Sequence, residues 1–205
     1  MKTDPRHLLF ALALAATVAA SACGPKAVRG GEGTANPNLD QAAMSTTLDK
    51  VDIDDLVKKN TDNLFISPFW ARDVRGAGEA PIVAIWPIEN HTSEHLDDQM
   101  LNLLSQLETT LVNSGLVSVV SRERQAAMAE EVGVQQGGAF DPNTAAKIGR
   151  QIGAKYYFTG KLTASDERMK GERRVQYSLF VQVLEVETSL IKFQFQSERT
   201  KAIVR

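Results

Sequence analysis

The pattern with the most explicit catalytic chemistry is His91-Thr92-Ser93-Glu94-His95, which spells H-x-x-E-H. This spacing is associated with one class of zinc peptidases, in which both histidines bind the metal beside the glutamate. Such a site needs both imidazole rings on one face of a helix. Ser93 is a good N-cap, so His91 is expected to precede the helix and the two rings need not point the same way. We therefore expect loop and capping roles for these residues and no metal site.

No other set of residues fits a catalytic motif. Gly30, Gly31 and Gly33 lie in a segment without a preceding strand, and Gly137-Gly138 does not lead into the lysine and serine of a phosphate-binding loop. The acidic residues are numerous but scattered, which is the ordinary state of surface carboxylates. The sequence therefore predicts a protein without catalytic residues, without a cofactor and without a small-molecule substrate.

Cys23 is the only cysteine, and it ends a stretch with the three parts of a secretory signal. Lys2 and Arg6 precede an uncharged apolar run from Leu8 to Val18, and small residues follow that run. About 11 apolar residues rise only about 16 Å as a helix, roughly half of a bilayer core. The run is therefore too short to remain as a transmembrane span, and we expect it to be removed.

The cleavage site has two interpretations, and both break the bond between Ala22 and Cys23. The run Ala20-Ser21-Ala22 fits ordinary signal peptidase, whereas the same run followed by Cys23 resembles a bacterial lipobox, in which the cysteine receives a lipid. A single exported cysteine has no partner within the chain, and lipidation accounts for it. The alternative is a free N-terminal thiol on a soluble periplasmic protein. We expect lipidation of Cys23.

The composition fits one exported domain behind a flexible segment. Removing a leader of residues 1–22 takes away two basic residues and one acidic residue, which changes the formal net charge from −2 to −3. No basic run is longer than the two residues of Arg173-Arg174, so the concentrated Lys/Arg face that duplex DNA requires is missing. Residues 23–50 contain glycine, proline and asparagine but few large apolar residues, which is typical of a flexible tether. Residues 51–205 are then the globular domain.

Apolar periodicity predicts the elements of the first half of this domain. Asp52 is expected to cap a short helix that ends at Ser67-Pro68, and Phe69 and Trp70 then anchor the segment on the main body. The continuous apolar run 82–88 predicts a strand buried on both faces. A helix starting at Ser93 carries six large side chains at steps of three and four: Leu96, Met100, Leu103, Leu104, Leu107 and Leu111.

The second half is predicted to complete one sheet. Strands are expected at 116–120 and 155–163, with helices starting at Ser121 and Asp141 between them. A hairpin follows, and its first strand alternates strictly: Val175, Tyr177, Leu179, Val181 and Val183. The predicted fold is α+β: one mixed sheet of about five strands with helices packed on it, in the order β-α-β-α-α-β-β-β after a short helix.

Two stretches of the second half are candidates for surface contacts. The segment 165–173 is so charged that we expect a solvated surface turn, with a docking site as the alternative. Tyr156, Tyr157 and Phe158 occupy both faces of a predicted strand. At least one of these rings is expected in the core, and an exposed ring would be available as a contact.

Four stretches carry a resemblance to a known family: DDLVKKNTDNLFISP at 54–68, IVAIWPIENHTSEHLDDQ at 82–99, LVNSGLVSVVSRERQ at 111–125 and AAKIGRQIGAKYYFTGKL at 145–162. In these stretches the chain resembles the LpoB family of outer-membrane lipoproteins, which activate class A penicillin-binding proteins. Similar strand and helix patterns also recur in the amino-terminal domain of TolB and in curli-type secretion lipoproteins.

The resemblance implies a lipid anchor at Cys23 and residence in the outer membrane, because Gly24 is not the aspartate that usually retains lipoproteins in the inner membrane. It also implies that the globular domain binds a non-catalytic domain of a class A penicillin-binding protein and stimulates it. The chain departs from the family in its tether, which is short and contains only Pro25 and Pro37 as prolines. The alternative function is a structural subunit of an outer-membrane export or assembly complex.

Overall fold

The structure is a computed structural model, which describes residues 27–30, 33–122, 125, 127 and 148–204. The chain divides into two compact units, with the boundary after Ala42. In the first unit, the described residues include a 3-10 turn, Leu39–Gln41. The second unit contains all the other helices and strands reported below. In the part of the chain that is described, no helix is long and apolar enough to cross a membrane.

Helix α1, Lys50–Phe65, begins with a capping box. The carboxylate of Asp49 accepts a hydrogen bond from the amide of Asp52, and the carboxylate of Asp52 accepts one from the amide of Asp49. The prediction of Asp52 as the N-cap is therefore wrong by three residues, because Asp52 fills the third helical position of the box. The helix ends before Ser67-Pro68, as predicted. Five residues on one side of the helix are buried: Ile53, Leu56, Val57, Asn60 and Leu64.

A π-helical turn, Trp70–Val74, follows α1 and places Phe69 and Trp70 in the core, as predicted. The second helix, α2, is Asp97–Asn113. Its N-cap position is held by Leu96 and not by Ser93, because residues 92–94 form bends of the preceding loop. The six side chains of the predicted apolar stripe are all buried. The periodicity therefore predicted the packing face of α2 correctly and its first residue incorrectly.

The strands form one mixed sheet in the order β3-β1-β4-β5-β6, with β2 paired to β4. Strand β1 is parallel to β3 and to β4, whereas β4, β5 and β6 are antiparallel. The six described strands are β1 Ile82–Ile85, β2 Glu89–Asn90, β3 Ser118–Val119, β4 Tyr156–Met169, β5 Glu172–Glu185 and β6 Ile191–Val204. The α+β class and the mixed sheet are thereby confirmed. The short β2 raises the number of strands above the predicted five.

Strands β4 and β5 are longer than predicted. The charged segment 165–173, predicted as a surface turn, is strand except at Lys170-Gly171. Gly171 has a φ of +85°, the conformation that a two-residue hairpin turn favours. The charged residues pair across the two strands, with Glu167 opposite Arg174. The hairpin therefore continues past the core as a two-stranded arm.

The core has one apolar cluster on each face of the sheet. The larger cluster joins α1, α2 and the sheet, and the alternating residues of β5 from Val175 to Val183 belong to it, as predicted. The smaller cluster contains Trp86 and Tyr157, whose ring centroids lie 6.0 Å apart. It is covered by the helical residues 148–152, which are followed by a turn at Gly153.

Candidate functional site

The residues of the H-x-x-E-H pattern do not assemble around one point. His91 follows β2, and its Nε2 lies 2.6 Å from Glu89 Oε2. Glu94 is directed to the sheet instead, where it accepts a hydrogen bond of 2.7 Å from the hydroxyl of Tyr177. His91 and His95 are both exposed. Within the described ranges, no group of three or more His, Cys, Asp or Glu side chains could hold a metal ion.

The loop between β2 and α2 is organised by Asn90. Its Oδ1 accepts hydrogen bonds from the amide and the hydroxyl of Thr92, at 2.9 and 2.7 Å. Its Nδ2 donates to the carbonyl oxygen of Glu94 at 2.9 Å. This side-chain turn fixes the backbone of the loop and brings the Glu94 carboxylate to β5. The sequence pattern that suggested a metal site is thus a structural loop.

The three consecutive aromatic residues of β4 are all buried. Tyr156 and Phe158 face the larger core cluster, and Tyr157 faces the smaller one. The prediction of at least one core ring is confirmed. None of the three rings is exposed, so none is available as a surface contact. Burial raises the pKa of the Tyr157 hydroxyl.

Residues 46–49 lie near the start of the second unit and are bound to β5 and β6. We call them the strap. Thr46 Oγ1 accepts a hydrogen bond from Arg173 Nη1 at 3.0 Å, and the carbonyl oxygen of Thr46 accepts one from the hydroxyl of Tyr177 at 3.0 Å. Leu48 is buried in the larger core cluster. The compact unit therefore begins inside residues 23–50, which the sequence predicted as tether.

An ion network holds the strap and the start of α1 on the last strand. Lys201 Nζ lies 2.6 Å from Asp49 Oδ2 and 2.8 Å from Asp52 Oδ2, and it also donates to the carbonyl oxygen of Thr47 at 2.8 Å. Arg199 Nε donates to Asp52 Oδ1 at 3.0 Å. The side chains of Lys201 and Asp52 are only 5% and 2% exposed. Such a buried network needs all of its partners, because an isolated buried charge is costly.

The charges of this network shift the pKa values of its members. Burial alone would raise the pKa of Asp49, but the hydrogen bonds from Lys201 and from the amide of Asp52, together with the positive charge of Lys201, outweigh burial and the pKa is lowered. Burial alone would lower the pKa of Lys201, but its hydrogen bonds to Asp49 and Asp52 and the negative charges of these two carboxylates together outweigh burial, and the pKa is raised. Both groups are therefore held in their charged forms.

In the arm of β4 and β5, acidic and basic side chains form ion pairs with one another. Asp166 accepts hydrogen bonds from Arg173 and Arg168 at 2.9 and 3.2 Å, and these two guanidinium groups, Arg173 first, lower the pKa of Asp166 to about 2. Glu167 forms an ion pair with Arg174. These ion pairs are exposed, so each stabilises the fold only weakly.

The residues predicted to be cleaved, lipidated and sorted are Ala22, Cys23 and Gly24, and all three lie outside the described residues. The strap and its ion network were not predicted from the sequence. The described part of the chain thus shows a strap that is fixed on β5 and β6 within the second unit.

The sequence of the folded unit matches a known family. Residues 52–198 match the family described as "Peptidoglycan-synthase activator LpoB". This match runs from the first turn of α1 to the middle of β6 and covers more than half of the chain. A search of curated protein sequences returned no significant match.

Solved structures with this fold include domains of the same family. The LpoB C-terminal domain from Escherichia coli is 16% identical, with a TM-score of 0.54 over 73% of this chain and 98% of that chain. The LpoB C-terminal domain from Salmonella enterica is also 16% identical, with a TM-score of 0.51 over 72% of this chain and 98% of that chain. The NMR structure of E. coli LpoB is 14% identical, with a TM-score of 0.50 over 90% of this chain and 84% of that chain. At these identities the likeness concerns the fold.

Proposed function

The chain belongs to the LpoB family of peptidoglycan-synthase activators, and from this premise we propose that it binds and activates a class A penicillin-binding protein. The observation that carries the proposal is the family match over residues 52–198, which covers nearly all of the folded unit. A regulator acts through binding surfaces and needs no catalytic groups of its own. The structural use of the H-x-x-E-H residues agrees with such a role.

We extend the proposal to the anchor. A lipid on Cys23 holds the protein on the periplasmic face of the outer membrane, and Gly24 permits sorting to that membrane. Each buried CH₂ contributes about 0.8 kcal/mol, so a single acyl chain binds only marginally and a multiply acylated cysteine holds the protein stably. The support for this step is the signal segment that ends at Cys23.

The test combines the mature, lipidated chain in detergent with each purified class A penicillin-binding protein of the source organism. We expect saturable binding to at least one of them and a several-fold faster polymerisation of glycan strands. A heat-denatured sample of the same chain is the control. No binding and no acceleration with any class A enzyme would contradict the proposal. Recovery of only outer-membrane proteins in a pull-down from membrane extract would favour a subunit of an export complex.

A further inference from the structure

Helices α1 and α2 cover one face of the sheet. Side chains alternate along each long strand, so the residues between the core positions point to the opposite face. Leu162 of β4 and Leu179 of β5 lie in the larger core cluster, and Ser197 of β6 contacts α1. The opposite side is formed by every second residue of 159–165, 176–182 and 194–200. We call this side the outer face.

The register of β4, β5 and β6 arranges the outer face in rows that cross the three strands. Phe180 lies opposite Lys161 of β4 and opposite Gln196 of β6. In the next row, Gln182 lies opposite Gln194. Four such rows, each two residues from the next, give a surface about 20 Å long and about 10 Å wide. The outer face is therefore an open surface that is elongated along the strands.

Amide and hydroxyl side chains dominate the outer face. Nine of its twelve residues are Gln, Ser or Thr, and the other three are Lys161, Phe180 and Glu198. One positive and one negative charge give these twelve residues a formal net charge of zero. Every one of them except Thr159 is exposed or partly exposed. The outer face thus presents a neutral surface with many hydrogen-bonding groups.

Other exposed surfaces of the folded unit have a different chemistry. Seven of the sixteen residues of α1 are charged, as are seven of the nine residues 166–174 in the arm. Helix α2 exposes the large aliphatic side chains of Leu101 and Val112. On the outer face, Phe180 is the one large apolar residue, and it lies in a central row between polar neighbours. Neutrality, many hydrogen-bonding groups and a single aromatic ring thus distinguish this face from α1, the arm and α2.

These properties match the chemistry of a neutral polysaccharide. Amides and hydroxyls supply both donors and acceptors, which are what the hydroxyl groups of a sugar require. The side-chain amides of Gln182 and Gln194 form no hydrogen bond with another residue that the structure describes, so they can bond to a ligand. The ring of Phe180 offers an apolar surface to the C–H groups of a sugar ring. Lys161 Nζ lies 6.0 Å from the centroid of that ring.

Part of the outer face is already ordered for binding. Gln196 Nε2 donates to Glu198 Oε1 at 3.2 Å, and Gln176 Nε2 donates to Thr200 Oγ1 at 3.4 Å. Long side chains that are held before binding lose less conformational entropy when a ligand arrives. The strands beneath them form a continuous antiparallel ladder, which fixes the spacing between rows. The surface therefore suits a ligand with repeated hydrogen-bonding groups.

Other classes of ligand fit this surface less well. Protein interfaces depend on buried Trp, Tyr, Met and Arg side chains, and the twelve residues include none of these. Nucleic acid needs concentrated positive charge, whereas Lys161 is the one cation among the twelve. A membrane surface needs a large apolar or basic area. A neutral sugar polymer is therefore the class that this surface favours.

We propose that the outer face binds the glycan strand of peptidoglycan. The polymer lies along the long strands, with a sugar ring on Phe180 and with hydrogen bonds to the glutamines of the neighbouring positions. The choice of this polysaccharide rests on the proposed function, because it is the polymer that a peptidoglycan synthase makes. The binding itself requires no synthase. It keeps the folded unit beside the polymer on which the synthase acts.

The test measures binding of the lipidated full chain, in detergent, to soluble glycan strands. An amidase removes the peptides from purified peptidoglycan, a fluorophore is attached to the reducing ends, and anisotropy reports binding. A carboxylate only accepts hydrogen bonds, so we expect the double variant Gln194→Glu and Gln196→Glu to bind about fivefold more weakly or worse. Asn102→Asp makes the matched change at an exposed position of α2 and should alter binding less than twofold.

Three outcomes of this measurement would overturn the inference. They are no binding by the parent chain, equal binding of labelled dextran, and equal effects of the outer-face and α2 variants. Both substituted glutamines are exposed, so their replacement leaves the core intact. Circular dichroism of each variant checks that the fold is retained.

A fluorescence measurement locates the contact without depending on a loss of binding. Gln196→Cys or Asn102→Cys is labelled with an environment-sensitive maleimide, since Cys23 is acylated in the proposed mature form, and the parent chain gives the background. We expect glycan strands to change the fluorescence at position 196 and not at position 102. Any other pattern overturns the inference, including a change at 196 with the synthase alone. Failure of the chain to bind a synthase contradicts the proposed function instead, so the two failures are distinguishable.

Discussion

Lys201 Nζ lies 2.8 Å from Asp52 Oδ2, and this buried ion pair joins the last strand to the first helix across 149 positions of sequence. The same ammonium group binds Asp49 and the carbonyl oxygen of Thr47 in the strap. One side chain of β6 thus fixes both the strap and the N-terminal turn of α1. The stability of the strap and of the first turn of α1 therefore depends on Lys201 in β6.

Replacing Lys201 by Met should lower the free energy of unfolding by about 3–5 kcal/mol, because it leaves the buried Asp52 carboxylate without one of its cations. Urea denaturation followed by circular dichroism measures the difference. The matched control is Lys58→Met, which removes an exposed ion pair with Asp62 and should cost at most about 1 kcal/mol. Equal losses for the two variants would show that the Lys201 network contributes no more than a surface ion pair.

Stability should fall at alkaline pH through Lys201. Its pKa is raised in the folded state, so its contribution is complete below the unfolded value of 10.5 and is lost as the pH rises through the folded value. The pKa of Asp49 is lowered, so its contribution is present above 3.8 and is lost as the pH falls through the folded value. Denaturation measured across both limbs should give a flatter profile for Lys201→Met than for the parent chain. Parallel profiles would exclude this linkage.

The hydroxyl of Tyr177 should contribute measurably to stability. It lies 2.7 Å from Glu94 Oε2 and 3.0 Å from the carbonyl oxygen of Thr46, and the residue is fully buried. Tyr177→Phe leaves these acceptors without their donor and should cost about 1–3 kcal/mol. Hydrogen exchange of the amides in the strap should also accelerate.

Tyr157→Phe is the matched control for this prediction. Tyr157 is equally buried, but its hydroxyl is without a hydrogen-bond partner in the structure. Removing that hydroxyl should change the free energy of unfolding by less than about 0.5 kcal/mol or stabilise the fold, since an unsatisfied buried polar group is unfavourable. A larger loss at position 157 than at 177 would contradict the assigned hydrogen bonds.

Gly160 should be the least replaceable glycine of the hairpin. A Cβ atom at this position would lie 2.2 Å from the carbonyl oxygen of Phe180 on the neighbouring strand. Gly160→Ala therefore forces β4 and β5 apart and should cost about 1–3 kcal/mol or more. Gly171→Ala is the control: no atom lies within 4 Å of its Cβ, so it should cost only about 1 kcal/mol for its positive φ. Thermal denaturation of both variants shows which substitution destabilises the fold more.

The elements with strong local periodicity could be predicted from the sequence. The apolar stripe of α2 extends over several helical turns, and the apolar alternation of β5 extends over most of the strand. Both patterns are set by which side chains face the core. Helix starts were less predictable, because Ser93 is a good cap in isolation but Asn90 organises its loop differently. The charged segment 165–173 was predicted as a surface turn because charged side chains are usually exposed to solvent. Its charges are instead satisfied across the hairpin, a pairing that only the register of β4 and β5 creates.

The ion network around Lys201 could not be predicted, because its partners lie near the beginning of the domain. One local signal was present: Lys201 is an even number of residues from Phe193 and Phe195 in β6, so its side chain lies on the same inward face of the strand. A lysine at an inward position requires a buried acidic partner. The sequence gives no means of choosing Asp49 and Asp52 among 25 acidic residues. Their choice depends on how α1 lies across the sheet, and the same long-range contact brings the predicted tether residues 46–49 into the fold.

The anchor should determine where the protein acts and not whether its domain can act. We expect Cys23→Ser to be released from cells by osmotic shock, because the variant lacks the thiol that would carry the proposed acyl chains. Gly24→Asp should remain lipidated but move from the outer to the inner membrane in density-gradient fractionation. Both variants should still accelerate the purified synthase in detergent, since neither substitution changes the folded unit, to which we assign binding of the synthase. Retention of Cys23→Ser in the outer membrane, or an unmodified N-terminus of the mature parent chain in mass spectrometry, would refute the lipid anchor.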